Sequence, residues 1–272
     1  MGPIGVFDSG YGGLTILSEL RKRLPQYDYL YLGDNARAPY GTRSFDVVYE
    51  FTLQAVKELF DRGCHLVILA CNTASAKALR TIQQKDLPVI APNRRVLGVI
   101  RPSAEIIGSI TKTNHIGILA TPGTVSSNSY TIEIGNFSPE STVVQHACPM
   151  WVPLIENHEH ETHAGQEFIQ KDIETLLEKD RQIDTIVLGC THYPVLKAYL
   201  ESIVPSHVQI ISQGKIVAES LADYLERHPE IDQFCSKNSS VQYLTSENTN
   251  EFDTNASIFA ADDVKSSHVS LH

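Results

Sequence analysis

Two segments of this chain follow one plan: Val67–Thr73, reading VILACNT, and Ile186–His192, reading IVLGCTH. Each is an apolar run that passes through a small residue to a cysteine, with a hydroxyl-bearing residue one or two places on. A run of this kind that ends in polar residues and leads into a helical stretch reads as a buried parallel strand opening at its carboxyl end. In open α/β sheets that edge is where ligands bind. The repetition is wider than the cysteines. Ile4–Ser9 (IGVFDS) is matched by Ile116–Thr121 (IGILAT), Asp28–Leu32 by Thr142–His146, and Pro88–Ala91 by His207–Ile211. Four strand candidates recur in one order, which predicts two similar lobes of roughly a hundred residues each.

Helix candidates alternate with these strands. Leu14–Leu24 stops at Pro25, and Phe45–Asp61 follows Ser44 as N-cap with Val48, Phe51, Ala55 and Leu59 on one face. Ile169, Ile173, Leu176 and Leu177 mark a third helix, and Ile216–Arg227 a fourth that ends before Pro229. The alternation predicts an α/β fold of two similar pseudo-symmetric lobes, each a parallel sheet flanked by helices, with the active site in the interlobe cleft. Hinges are expected near Arg95–Gly98 and Ser212–Gly214. Lobe 1 would then hold residues 1–97 plus 213–272, with helix Ile216–Arg227 returning to it, and lobe 2 residues 98–212. From Ser236 the chain is richer in Ser, Asn and Thr, and a loose structure is expected up to Ala256–Ala261.

A length of 272 residues allows two hydrophobic cores. The net charge of −10 argues against nucleic acid, which needs a clustered excess of Lys and Arg. Arg21–Lys22–Arg23 reads as a solvated helix end. No apolar stretch reaches the ~18 residues that span a bilayer, and the start lacks the pattern of a signal peptide. A cytoplasmic protein is expected, with no membrane partner. Its five cysteines, Cys64, Cys71, Cys148, Cys190 and Cys235, should then be free thiols.

Chemistry concentrates at the strand ends. Removing a proton from a carbon centre and returning one to the opposite face needs two bases that face each other, one protonated and one not. Cysteine suits that role, since its pKa of about 8.5 falls at a helix N-terminus or beside a cation. The following helices are therefore expected to favour thiolates at Cys71 and Cys190. Cys64, Cys148 and Cys235 lack the symmetry and the polar successors and read as structural. His192, two residues past Cys190, can stabilise a thiolate or shuttle a proton. Asp8–Gly13 (DSGYGG) is a Gly-rich turn that matches neither a dinucleotide fingerprint nor a P-loop. It is either a plain turn or a close backbone approach to a ligand. Gly33–Gly41 (GDNARAPYG) is a polar loop of the sort that bears function, in which Arg37 can pair with Asp34. His158, His160 and His163 suggest a metal, but the surrounding Glu residues favour an exposed loop.

Together GVFDSG at Gly5–Gly10, the Gly33–Gly41 loop, ACNTAS at Ala70–Ser75 and GCTHYP at Gly189–Pro194 resemble the cofactor-independent aspartate/glutamate racemase family. The resemblance runs from Ile4 to about Ala261, and Ala74–Ser75 and the Asp34 loop are similar to its glutamate branch. It implies interconversion of L- and D-glutamate without pyridoxal phosphate or a metal, supplying D-glutamate for peptidoglycan. It further implies that Cys71 deprotonates the D-isomer with help from Asp8, and Cys190 the L-isomer with help from His192. Supporting acid–base roles fall to Asp34 and Glu156. Substrate contacts fall to Ser9, Pro39, Tyr40, Gly41, Asn72, Thr73, Thr121 and Thr191. A homodimer is expected. Tyr11 departs from the family pattern, which favours a small aliphatic residue there, and Asn93–Arg95 with Arg101 make the hinge side more basic.

Three other readings compete. Aspartate or hydantoin racemisation would use the same fold. A two-lobed solute-binding protein would close on its ligand without chemistry, and a metalloprotein would use Cys71, Cys190, His192 and Asp8 as ligands.

Overall fold

The computed structural model describes residues 1–260 and 263–272. The chain opens with β1 (Ile4–Asp8), α1 (Leu14–Arg23), β2 (Tyr29–Gly33), α2 (Phe45–Asp61) and β3 (Leu66–Leu69). Three short helices follow: α3 (Asn72–Lys77), α4 (Leu79–Thr81) and α5 (Leu87–Ile90). Then come β4 (Arg95–Gly98) and α6 (Ile100–Ile110). The middle of the chain holds β5 (His115–Ala120), α7 (Pro122–Ser127), α8 (Ser129–Phe137), β6 (Thr142–Ala147) and α9 (Trp151–Glu156). It continues through α10 (His163–Lys179), β7 (Thr185–Gly189), α11 (Lys197–Ile203) and β8 (Gln209–Ile211). The last part holds α12 (Gly214–Arg227), α13 (Pro229–Asp232), β9 (Val241–Thr245), α14 (Thr249–Ala256) and β10 (Ser266–His268).

Two sheets result, in strand order β10-β9-β2-β1-β3-β4 and β6-β5-β7-β8. All their pairings are parallel. Every residue of β1, β2, β3 and β7 is buried, as strands covered by helices on both faces must be. Each fully buried Val, Leu or Ile side chain contributes about 1.5–3 kcal/mol, so these apolar runs fix the sheet centres. One contiguous set of buried apolar side chains, including Ile4, Trp151, Leu188 and Tyr243, draws on both sheets.

Helix ends agree closely with the local chemistry. The Ser44 Oγ accepts from the Val47 amide at 3.4 Å and starts α2, whose Val48, Ala55 and Leu59 are buried and whose Phe51 is half-buried. α12 buries Val217, Ala218, Leu221 and Leu225 and packs along α1, beside the first sheet.

Two expectations are corrected. Pro88–Ala91 is not a strand: Leu87–Ile90 is a helical turn with Val89 81% exposed, and the fourth strand of the first sheet is Arg95–Gly98. A boundary at residue 97 therefore falls inside β4. The segment after Ser236 is not loose. β9 pairs with β2 along its full length, and β10 pairs with β9. Ala261, where the loose stretch was expected to end, lies outside the described residues.

Candidate active site

The carboxyl ends of four strands converge. β1 ends at Asp8, β3 leads to Cys71, β5 to Thr121, and β7 to Cys190. A cavity of about 120 Å³ lies there. Of the residues expected at the site, all line this cavity except Asp8 and Asp34. No Lys or Arg side chain is among its described lining. A second, larger cavity of about 700 Å³ is lined by Lys77, Arg80, Arg101, Tyr224 and Arg227, but by neither Cys71 nor Cys190. Cys71, Cys190 and His192 belong to the smaller one.

Cys71 caps α3, its Sγ accepting from the Ala74 amide at 3.4 Å and lying 3.4 Å from the Ser9 Oγ. These contacts stabilise a thiolate, but burial and then the charge of Asp8 outweigh them and push the Cys71 thiol up to about 12. The expected thiolate-favouring effect of the helix is therefore overturned at Cys71. Burial beats the few partial charges of a six-residue helix. Asp8 is fully buried; its Oδ2 accepts from the Gly10 amide at 3.0 Å and its Oδ1 from the Thr191 hydroxyl at 3.3 Å. Burial raises its carboxyl above the ordinary value in spite of the nearby His192.

On the other side, Cys190 is followed not by an α-helix but by a 3₁₀ turn, Tyr193–Leu196. The His192 Nδ1 lies 3.9 Å from the Cys190 Sγ, and Nε2 lies 2.9 Å from the Glu156 Oε1. Burial opposes a charge on this ring, yet the contacts with Cys190 and Glu156 prevail and raise His192 to about 10. An imidazolium thus stands beside Cys190 at neutral pH. The DSGYGG turn explains part of this closeness. A Cβ on Gly12 would come within 2.4 Å of both the His192 Nδ1 and the Thr191 Oγ1, and one on Gly13 within 2.5 Å of the Asp8 Cβ. Its glycines admit the site's own side chains.

Asp34 sits beneath the cavity wall. It accepts from the Arg37 Nε at 2.7 Å, from the Ser246 hydroxyl at 2.7 Å and from the Tyr40 hydroxyl. The Asp34–Arg37 pair is present as read, and it holds Tyr40 at the cavity. Asn72 is locked from two sides, donating to the Gln213 Oε1 at 2.8 Å and accepting from the Tyr130 hydroxyl at 2.6 Å. Thr73 and Thr121 hydroxyls lie 2.9 Å apart, and the Gly123 amide donates to the Gly41 carbonyl at 2.7 Å. Sequence reasoning missed Tyr130, Gln213 and Ser246, which no local pattern marks. It also set Cys148 aside, although Cys148 forms part of the cavity wall.

His158 and His163 are exposed as expected, but His160 is half-buried in a 3₁₀ turn and His163 opens α10 instead of lying in a loop. Among the described residues, the side chains close enough together to share a metal are His146, Cys148 and Asp172, not the Cys71, Cys190, His192 and Asp8 set. Their polar atoms already pair, His146 Nε2 with Asp172 Oδ1 at 2.8 Å and Trp151 Nε1 donating to Asp172 Oδ2 at 2.7 Å.

A family profile described as Asp/Glu/Hydantoin racemase matches residues 15–221. The chain is 39% identical over 266 residues to a glutamate racemase of Ruegeria sp. (strain TM1040), covering 94% of this chain and 96% of that one. Among solved structures it is similar to the glutamate racemase isoform RacE1 of Bacillus anthracis, with a TM-score of 0.89 at 32% identity over 99% of this chain and 98% of that one. It is also similar to the glutamate racemase of Francisella tularensis in complex with D-glutamate, with a TM-score of 0.85 at 31% identity over 99% and 97%.

Proposed function

The chain belongs to the Asp/Glu/hydantoin racemase family, an isomerase of the glutamate racemase kind, and on that premise we propose that it interconverts L- and D-glutamate through two thiols without a cofactor. The observation that carries this reading is that Cys71 and Cys190, from equivalent strand ends of two sheets, line one small cavity, with Asp8 close to one and His192 to the other. With L-glutamate bound, the Cys190 sulfur takes the α-proton as the carbon–hydrogen bond breaks, and the electron pair stays on carbon. The Cys71 thiol then gives its proton to the opposite face, forming the D-isomer and leaving a Cys71 thiolate. The reverse reaction starts from that thiolate. A Cys71 thiol held at about 12 is the proton donor this sequence needs at rest.

His192 assists Cys190 and Asp8 assists Cys71, Glu156 pairs with the His192 imidazole at Nε2, and Asp34 sets Tyr40 through the hydrogen bond between them. The substrate's carboxylates are received by neutral groups: the hydroxyls of Ser9, Thr73, Thr121 and Thr191, the Asn72 amide, and the backbone of Pro39, Tyr40 and Gly41. We propose two lobes close to residues 1–97 plus 213–272 and 98–212, with the first boundary moved past the end of β4 at Gly98, and expect a cytoplasmic homodimer that supplies D-glutamate for peptidoglycan.

The test is polarimetry on L-glutamate with pure protein and nothing added. The rotation should decay to zero while deuterium from D₂O enters the α-carbon. A stable rotation, or decay that requires pyridoxal phosphate, would refute the reading. Exchange of the α-proton also separates catalysis from mere binding. Faster turnover of aspartate than of glutamate would move the chain to another branch of the family. Cys71→Ser and Cys190→Ser should each cost at least about 10³-fold, within the range expected for a lost general acid or base.

A further inference from the structure

The His192 ring is held at both nitrogens, but two edge contacts leave its tilt to packing. One neighbour is Gly12, whose missing Cβ makes room for Nδ1. Another is Phe259, which follows α14 and is 6% exposed. The His192 and Phe259 ring centroids lie 5.0 Å apart with their planes at 74°. Perpendicular rings set the positive edge of one against the π face of the other, an angular preference that simple apolar packing lacks. Behind Phe259 stands a column of rings. Tyr11 lies parallel to it at 6.2 Å and 4°, Phe252 stacks on Tyr11 at 5.4 Å, and Tyr31 meets Phe252 at 6.3 Å. The Tyr11 hydroxyl accepts from the Asn255 Nδ2 at 3.2 Å, which ties the column to α14. Tyr31 lies in β2, and β9 and β10 flank α14 in sequence, so the column is rooted in the first sheet. It ends on a residue that follows β7 of the second.

We propose that Phe259, backed by Tyr11, is a positioning residue for His192: its ring fixes the imidazole plane so that Nδ1 stays on the Cys190 sulfur while Nε2 stays on Glu156. This rests on the racemase reading of the same cavity. The action of Phe259 is one-sided, because its ring meets His192 on the Cys190 half of the site, whereas Cys71 takes its contacts from Ser9 and the Ala74 amide and the far end of the column, Tyr31, is tied to the Gly10 carbonyl.

That asymmetry supplies the test. In Phe259→Leu, which keeps an apolar side chain and removes the ring, kcat/KM for both enantiomers should fall together by about tenfold, with KM little changed. The equal fall follows from an equilibrium constant of one between enantiomers. The isotope effects should separate. With α-deuterated L-glutamate the effect on kcat/KM should rise, because proton removal by Cys190 becomes more limiting. With α-deuterated D-glutamate it should shrink, because the limiting step moves to reprotonation from Cys190. Phe259→Tyr, which retains the ring, should keep the parental isotope effects. Isotope effects that stay unchanged or move together in Phe259→Leu, at parental thermal stability, would overturn the proposal. Should that variant fail to fold, Tyr11→Leu removes the ring behind Phe259; the same divergence supports the proposal and its absence refutes it. A parent protein that does not racemise glutamate at all would instead sink the functional reading.

Discussion

At Cys71 two effects act in opposite directions on one sulfur, and the larger decides the resting state of the site. The Ala74 amide and the Ser9 hydroxyl favour the thiolate, but burial outweighs both. At His192 the contacts with Cys190 and Glu156 prevail over burial instead, and there too the proton is favoured. The sign of the resulting pH dependence follows. An ordinary histidine value of 6.5 rises to about 10 on folding, so the stability His192 contributes is fully present below pH 6.5 and is lost as the pH rises through about 10. Cys71 adds a further loss between its ordinary 9.0 and about 12. Urea midpoints measured from pH 6.5 to 10 should fall more steeply in the parent than in His192→Asn. Gly12→Ala is the sharpest steric probe at this scale, since its Cβ would displace the imidazole or Thr191. A loss of about 10²-fold in kcat/KM is expected from steady-state kinetics, the order that follows a misplacement near 1 Å.

Elements were legible where local chemistry and tertiary packing agree. Ser44 and the apolar face behind it announce α2, and the uniform apolar runs announce β1, β3 and β7. Pro88–Ala91 misled because its apolar residues suggest burial, whereas Val89 and Ile90 are exposed on a helical turn. The true strand, Arg95–Gly98, is an edge strand in which Val96 alone is buried, so its pattern is weak. The Ser, Asn and Thr residues after Ser236 misled for another reason: several are fasteners. Asn238 and Ser240 hold Asp28, and Asn248 caps α14 through the amides of Asn250 and Glu251. Asn248→Ala should therefore cost about 1 kcal/mol in chemical denaturation. Truncation after Ser240 should do more, since it removes β9 and β10 and leaves β2 an unprotected edge. The soluble fraction on expression reports that outcome.

On the scale of the whole molecule, the two sheets meet through short polar contacts around the cavity: Asp8 with Thr191, Thr73 with Thr121, Gly41 with Gly123. The cysteines, Asp8 and His192 could be read from sequence because they stand in repeated or contiguous motifs. Gln213, Tyr130 and Phe259 could not, because tertiary packing alone brings them to Asn72 and His192. A Cβ on Gly41 would come within 2.8 Å of the Thr121 Cβ, so Gly41→Ala should hold the two sides apart. KM for glutamate should rise by about tenfold or more while the thermal midpoint changes little.

The two sheets also differ in how they draw on the chain. The strands of the second come from one uninterrupted stretch, residues 115–211, whereas the first joins residues 4–98 to residues 241–268. On a ribosome, the later-numbered sheet can assemble while synthesis continues, because all its strands emerge together. The earlier-numbered one must wait, its central strands unprotected along one side, until more than a hundred further residues have been made. A nascent polypeptide of this kind offers holdase chaperones their binding site near its beginning, and it gains the aromatic wall of His192 among the last things translated.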